Sequence, residues 1–303
     1  IVLDSAIVLP SGKLAMTAQD DLTLADRALI DVSGRKLSFN DVDKFSWGGD
    51  VGLESQAGGI RQAAGATIDL SAQGNRAGTL KAVALGASAG VVDLQGRILG
   101  ASSGHYDAGG TMVPFKAGGV DIRAQRLGDS GTLSDQFAAL NQRLSDGAVF
   151  GSRSFQLKQG DLVIGAGLKA GEVNVSVDNG SLAVLGTIDA SGERVGSIRL
   201  AGRNGLTIGG GALLDAHGTV LRVDSRGKII DAPNRAMVEL DGGDGVLTLA
   251  GGARIDLRHG TGAAVGSQPG QHDGQKRGTL ELYAARTGET SGDIRIDASG
   301  SLA

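Results

Sequence analysis

The chain has 303 residues, a net charge of −4 and no cysteine. Charges of both signs are interspersed along it, which argues against a surface that binds nucleic acid or anionic membranes. Glycine accounts for 52 residues, apolar residues for 41% and aromatic residues for only 3%. The patterned apolar residues exclude a disordered chain, and this composition predicts many short strands joined by tight turns.

The first predicted strands lie in residues 12–34, where three short segments carry apolar residues two positions apart. The same pattern returns without a gap 184 positions later, in residues 196–218, and seven of the 23 aligned residues are identical. A unit of three short strands therefore recurs, which is typical of a repeat architecture. We predict an all-β fold, a right-handed parallel β-helix with a few loop excursions and one short helix, in which each strand lies on the equivalent strand of the next coil.

A short motif ends many of these units: an apolar residue, Asp and a second apolar residue, often followed by Ser and Gly. We call it the Asp motif, and we expect its apolar residues to point inward and its Asp outward. Carboxylates on stacked strands could serve as the acid and base of a polysaccharide-degrading enzyme. Because the Asp recurs as a consensus residue, we interpret it instead as an acceptor for turn N–H groups. The motif begins at Ile30, Ile68, Val92, Ile188, Leu214, Ile255 and Ile296.

Three excursions interrupt the coils, at residues 35–50, 101–119 and 127–154, and eight of the nine aromatic residues lie between Phe39 and Phe155. The excursions are predicted to pack on one flank of the coils. Residues 1–126 and 155–303 are predicted to be coils of one β-helix on either side of the third excursion.

The third excursion carries the one predicted helix, at residues 134–145. Thr132 can cap its start, and Gly147 is the expected stop. Phe137, Leu140 and Leu144 recur at helical spacing and are expected to face the coils. Farther along, residues 260–278 are predicted to be a polar loop.

Two aromatic residues of the excursions, Trp47 and Tyr106, are candidate contacts for a partner. The alternative interpretation is that the aromatic residues only cover the flank of the coils.

Three glycine-rich segments resemble functional motifs but lack the required context. Residues 86–90 match G-x-S-x-G, and residues 165–171 resemble a dinucleotide-binding loop, yet a predicted strand rather than a helix follows each. Residues 242–245 resemble a single calcium-binding repeat that is not in tandem. The four histidines have no metal-ligand spacing. The sequence therefore predicts no catalytic residue, no metal site, no cofactor and no enzymatic activity.

The motifs I-D-A-S-G at 188–192 and L-D-A-H-G at 214–218, with the closing segment 292–303, resemble the filamentous haemagglutinin family. These are large exoproteins of bacterial two-partner secretion, and the resemblance is clearest over residues 155–303. It implies a right-handed parallel β-helix, export through an outer-membrane β-barrel partner and display at the cell surface or outside the cell. It also implies a polysaccharide or protein receptor. The interspersed charges, rather than the resemblance, predict no nucleic-acid partner.

We therefore predict a rod or stalk segment of a bacterial adhesin or biofilm-matrix exoprotein, expected to be a monomeric piece of a longer protein. Three alternatives remain: a polysaccharide-active β-helix enzyme, the stalk of a contact-dependent toxin carrier, and a phage-type spike. A cleft with several carboxylates outside the repeat would favour the enzyme. A flank with three-fold apolar character would favour the spike.

Overall fold

A computed structural model describes residues 1–259, 278–288 and 295–302. Strands make up 46% of it and helices 6%, and the strands form long parallel sheets. The predicted all-β class, a parallel β-helix with one short helix, is confirmed. The polar loop predicted at 260–278 lies outside the described residues, except for Gly278.

The chain divides into two compact units. Unit 1 comprises Ile1–His105 and Pro114–Gly160, and unit 2 comprises Tyr106–Val113 and Asp161–Ala303. In each unit a complete coil consists of one strand of five or six residues followed by two shorter strands, and each of the three strands belongs to a different sheet.

Up to Gly160 the chain forms eighteen strands and one helix, including two strands, His105–Asp107 and Met112–Pro114, that lie mostly in unit 2. In order these are β1 (Val2–Leu3), β2 (Ala6–Val8), β3 (Lys13–Ala18), β4 (Leu22–Leu24), β5 (Leu29–Asp31), β6 (Lys36–Phe39), β7 (Val42–Phe45), β8 (Asp50–Ser55), β9 (Ile60–Gln62), β10 (Thr67–Asp69), β11 (Thr79–Ala84), β12 (Val91–Leu94), β13 (Arg97–Leu99), β14 (His105–Asp107), β15 (Met112–Pro114), β16 (Gly119–Ala124), β17 (Arg126–Leu127), α1 (Leu133–Asp146) and β18 (Ser152–Leu157).

Three parallel sheets form the coils of unit 1. The long strands lie in the order β3-β8-β11-β16-β18, and the second sheet has the order β1-β4-β9-β12-β17. The third sheet, β2-β5-β10-β13, carries the Asp motif. Strands β6 and β7 form a separate antiparallel hairpin, and β14 and β15 pair as a second two-stranded sheet.

After Gly160 the chain forms the coils of unit 2. Their strands are β19 (Leu162–Ile164), β20 (Leu168–Lys169), β21 (Glu172–Val177), β22 (Leu182–Val184), β23 (Thr187–Asp189), β24 (Ser197–Gly202), β25 (Leu206–Ile208), β26 (Leu213–Asp215), β27 (Met237–Asp241), β28 (Leu247–Leu249), β29 (Arg254–Asp256), β30 (Thr279–Tyr283), β31 (Ile296–Ala298) and β32 (Ser301–Leu302). The sheets are β21-β24-β27-β30, β19-β22-β25-β28-β31 and β20-β23-β26-β29-β32.

The two segments aligned in the sequence fold alike, because 12–34 gives β3, β4 and β5 and 196–218 gives β24, β25 and β26 at the same offset. Ile30, Ile68 and Ile98 stack in register inside unit 1, and each is fully buried. Burial of each such side chain stabilises the fold by about 1.5–3 kcal/mol relative to exposure. The core therefore consists of ladders of aliphatic residues that run from coil to coil.

The prediction that all seven Asp motifs occupy equivalent positions is wrong for two of them, which lie in a neighbouring sheet. Asp93 in β12 lies beside Arg61, and the residue in register with Asp69 is Leu99. Asp297 in β31 lies beside Thr248, so β31 is in the neighbouring sheet rather than in the sheet of the Asp motif. Ile296, predicted to be inward, is only half-buried. The remaining motifs, which begin at Ile30, Ile68, Ile188, Leu214 and Ile255, occupy the predicted position.

Helix α1 confirms the helix predicted at 134–145, extended by one residue at each end. The Thr132 hydroxyl accepts a hydrogen bond from the Asp135 amide at 3.1 Å, and Gly147 ends the helix. Phe137, Leu140 and Leu144 are buried, as predicted. The Phe137 ring packs edge-on against Phe155 of β18, with 4.9 Å between ring centroids.

The first two excursions of unit 1 meet at one turn of the coils. The side-chain amide of Asn75 donates to the Phe45 carbonyl at 2.9 Å, and the Gly74 amide donates to the Ser103 hydroxyl at 3.0 Å. The third excursion, which contains α1, contacts β13 and β17.

A fourth excursion, which the sequence pattern did not predict, joins β26 to β27 in unit 2. It contains a short 3-10 helix, Ala232–Asn234, and an antiparallel bridge between Val223 and Ile229. The Val223 amide donates to the Thr111 hydroxyl at 2.8 Å, so this excursion packs against the Tyr106–Val113 segment of the same unit.

Candidate functional site

The β6–β7 hairpin presents an apolar face to solvent. Phe39 lies opposite Val42, and Leu37 lies opposite Lys44. Because residues two apart on a strand share a face, these four side chains lie on one side of the hairpin. Phe39 is 61% exposed, Leu37 48% and Val42 46%. A face of this kind on a small, projecting element is a candidate partner-binding surface.

The other face of the hairpin is polar. Lys36 forms an ion pair with Asp43 at 2.7 Å, and the Ser38 hydroxyl donates to the same carboxylate at 2.7 Å. These contacts involve exposed groups and add little stability. They do hold the two strands in register, which keeps the apolar side chains together on the opposite face.

The base of the hairpin is fixed to the coils. The Phe45 ring lies against Gly74, where a Cβ atom would come within 2.8 Å of the ring, and Gly74 has a φ of +60°. The Ser46 hydroxyl accepts from the Arg35 amide at 2.8 Å and lies 2.6 Å from the Ser11 hydroxyl, whose proton goes to the Trp47 carbonyl. The surface is therefore carried on an anchored element.

The two predicted partner contacts lie in different units. Trp47 of unit 1 is 50% exposed and directly follows the hairpin, and its carbonyl accepts from the Ser11 hydroxyl at 2.7 Å. Tyr106 is on β14, in unit 2, and is 37% exposed. Both are accessible, and their role as contacts stays a prediction.

Sequence reasoning missed the hairpin face itself, although its signal is present. Leu37 and Phe39 alternate before Asn40-Asp41, and Val42 follows this two-residue loop. Asn40 has a φ of 54°, a conformation that asparagine adopts more readily than most residues and that hairpin turns use. The prediction named Trp47 and Tyr106 as candidate contacts and did not single out Phe39, whose side chain faces solvent.

The Asp motif forms a ladder of turn caps. The Asp69 carboxylate accepts from the amide of Ser71 at 2.9 Å and from its hydroxyl at 2.6 Å. Asp31 and Asp189 make the same pair of bonds to the Ser two residues later. These carboxylates therefore already act as turn acceptors, as the sequence interpretation expects.

One such carboxylate illustrates the electrostatics of the ladder. Partial burial raises the pKa of Asp189, but the hydrogen bonds from Ser191 and the ion pair with Lys169, at 3.0 Å, outweigh burial. The pKa of Asp189 is therefore below its ordinary value, and the group is charged at neutral pH.

The ladder changes at its last two steps in unit 2, where His217 and Arg258 replace the usual Ser. The His217 Nδ1 atom lies 2.6 Å from the Asp215 carboxylate, and Arg258 Nε donates to Asp256 at 3.0 Å. Asp256 was predicted to point outward, but it is buried because the Arg258 guanidinium covers it. Asp215, His217 and Asp256 each place one potential ligand atom within 4.8 Å of the other two.

The glycine-rich segments behave as predicted. Residues 86–90 lead into strand β12, so the strand-to-helix turn of a nucleophilic serine is not formed there. Residues 165–171 lie between β19 and β21, with no helix to face a phosphate. In residues 242–245 the Gly243 amide donates to the Asp241 carboxylate at 2.8 Å, which makes the segment a turn.

A surface pocket of about 340 Å³ lies beside the first of these segments, within unit 1. Ser88, Gln125 and Asp129 are among its lining residues, which do not include a histidine. Asp129 is bound by Arg61 Nε at 2.8 Å, and Arg61 also contacts Asp21 at 3.1 Å. This carboxylate is thus part of an ion-pair network rather than a free acid or base.

Comparison with known proteins finds no match: no family model, no curated protein and no solved structure is significantly similar to the chain. The resemblance to the filamentous haemagglutinin family therefore rests on the sequence motifs alone. Neither helix among the described residues has the length and apolar character needed to cross a bilayer.

Proposed function

We propose that this chain is a rod segment of a bacterial surface or secreted exoprotein, an adhesin or biofilm-matrix protein with a binding role and no catalytic role. The observation that carries the proposal is the exposed apolar face of the β6–β7 hairpin, with Leu37, Phe39 and Val42 on an element anchored to a stack of coils.

The coils supply a scaffold, and the hairpin supplies a surface. Each coil needs only short turns between strands, so an added hairpin must offset the entropy of ordering its residues. The apolar side chains of the hairpin are not part of the aliphatic ladders that form the core. Exposed aromatic and aliphatic side chains on a fixed element are the features that protein and sugar partners use for contact.

The absence of catalysis in this proposal is supported by the Asp motif. A catalytic carboxylate must reach a substrate, whereas Oδ1 of each of Asp31, Asp69 and Asp189 accepts the hydrogen bonds of a turn. Export through an outer-membrane β-barrel partner and display outside the cell belong to the same proposal and derive from the sequence resemblance.

A double substitution tests the binding role. Phe39→Ser with Trp47→Ser removes the two most exposed aromatic residues of the first excursion without touching the coils. The full chain, attached to beads, is measured for adhesion to bacterial cells and to extracted biofilm matrix. We expect adhesion to fall at least five-fold.

Leu185→Ser is the matched control, because Leu185 is 54% exposed but lies on a coil of unit 2. Circular dichroism confirms that each variant keeps its strands. Adhesion that is unchanged in the folded double variant would contradict the role of the hairpin. Release of soluble sugars from matrix polysaccharide by the wild-type chain would contradict the non-catalytic role.

A further inference from the structure

The Asp ladder of unit 2 contains a cluster of metal-ligand type that the turn-cap role does not explain. Asp215 ends β26, and Asp256, its partner in register, ends β29 on the next coil. His217 follows Asp215 by two residues. One oxygen or nitrogen atom from each of the three lies within 4.8 Å of the others.

The turn requires only a hydrogen-bond donor at this position, whereas the His217 imidazole can also bind a metal. At the other motifs a Ser hydroxyl donates to the Asp, as Ser191 does to Asp189 at 2.6 Å. His217 makes the same contact to Asp215 through Nδ1, also at 2.6 Å. Nδ1 is also the nitrogen that would hold an ion together with Asp215, because it faces that carboxylate, and the His217 side chain is 34% exposed, so an ion from solvent can reach it. A ring nitrogen is a metal ligand, whereas the hydroxyl it replaces is a poor one.

A buried imidazole beside the cluster is a second, independent observation. His259 forms a bridge with Gly218, the residue after His217, and is 1% exposed. Neither ring nitrogen has a hydrogen-bond partner among the described residues. A main-chain group of Val220 approaches the ring without meeting hydrogen-bond geometry. Buried polar groups are nearly always paired, so this imidazole is an unusual feature of the corner beside the cluster, although it is not one of the three residues whose ligand atoms lie together.

The ligand types indicate the class of ion. Calcium and magnesium prefer sites made entirely of oxygen, whereas one imidazole with two carboxylates suits a divalent transition metal such as zinc. Arg258 currently neutralises Asp256, but its side chain is 63% exposed and can be displaced. A metal ion that binds Asp256 must therefore take the place of the Arg258 guanidinium.

We propose that Asp215, His217 and Asp256 bind one divalent transition-metal ion, which displaces Arg258 from Asp256. The site joins two successive coils of unit 2, so an ion held there would also cross-link them. Metal binding at this cluster does not depend on the proposed binding role of the hairpin.

Zinc binding to the full, chelator-treated chain tests the proposal by calorimetry and by metal analysis after dialysis. We expect a stoichiometric site. His217→Ser, which restores the usual residue of the motif and keeps the turn donor, should weaken zinc binding at least ten-fold. Arg258→Ala should tighten zinc binding, because Asp256 then loses its competing cation.

His105→Ser is the control, because it removes a histidine from another part of the chain and should leave zinc affinity unchanged. Circular dichroism shows whether each variant is folded. Wild-type protein that binds no zinc would overturn the proposal. So would a folded His217→Ser variant that retains wild-type affinity, or an Arg258→Ala variant that binds zinc more weakly.

Discussion

Arg153 and Asn141 form a buried contact that fixes α1 to the coils of unit 1. The Arg153 guanidinium donates to the Asn141 carbonyl at 3.2 Å and also to its side-chain oxygen. The same group donates to the Val149 carbonyl at 3.0 Å, and Arg153 is completely buried. It therefore sits near the C-terminal end of α1, where the helix dipole favours a cation.

Replacement of Arg153 by lysine should destabilise the protein by about 2–4 kcal/mol, because an ammonium group cannot satisfy these acceptors together. Burial lowers the pKa of Arg153 to about 10, so the side chain is still charged at pH 7. Urea unfolding at pH 7 measures the change. Arg123→Lys on the exposed side of β16 is the control and should stay within about 0.5 kcal/mol. Equal effects of the two substitutions would argue against a special role for Arg153.

Successive coils approach each other so closely at Gly78 that the fold has no room for a side chain there. A Cβ atom at Gly78 would lie 1.7 Å from the Gly49 carbonyl oxygen, whereas one at Gly52 would lie 3.8 Å from its nearest neighbour. Gly78→Ala should therefore destabilise unit 1 by several kcal/mol, since main-chain atoms must move. Gly52→Ala should change stability by less than about 1 kcal/mol. Thermal unfolding of both variants compares them, and a tolerated Gly78→Ala would mean that the coils are farther apart than described.

Adjacent residues of one Asp motif should respond very differently to substitution. Ile68 is fully buried in its ladder, and Ile68→Asp places an unpaired charge there, which should cost several kcal/mol. Asp69→Asn keeps a side-chain oxygen that can accept from Ser71, so its cost should be below about 1 kcal/mol. Denaturant unfolding distinguishes the two cases. A larger loss for Asp69→Asn would contradict the turn-cap role of the motif.

The Arg61–Asp129 ion pair should make stability depend on acid pH. The hydrogen bond from Arg61 is the main reason that the pKa of Asp129 lies below its ordinary value. Stability from a depressed carboxylate pKa is present above the unfolded value, about 3.9, and is lost as pH falls through the folded value. The wild type should therefore exceed Asp129→Asn in unfolding free energy at pH 6, by less than about 1 kcal/mol, and lose that advantage near pH 2.

A double-substitution cycle provides the control for this pH effect. In the Arg61→Gln background, Asp129→Asn should have the same small effect at both pH values, because the partner that lowers the pKa is gone. A pH dependence that persists in that background would assign the effect to another group.

Local sequence signals determined the strands, the repeated unit and the ends of the helix. The alternation of apolar residues predicted the strands, and the match of 12–34 to 196–218 predicted the repeated unit, because both depend on neighbours within a few positions. Thr132 and Gly147 likewise set the ends of α1 through hydrogen bonds to nearby residues. The burial of Arg153 was not predicted, although the residue alternates in phase with Phe155 and Leu157.

Only the tertiary structure decided which residues from different coils meet. All three sheets share the same two-residue period, so the sequence could not separate Asp93 from Asp69 or place Asp297 in its sheet. Excursions of unequal length prevent coil positions from being counted along the chain. For the same reason the approach of Asp256 to Asp215 and His217 was unpredictable: 41 residues of chain separate the two carboxylates, and parallel stacking alone brings them into register.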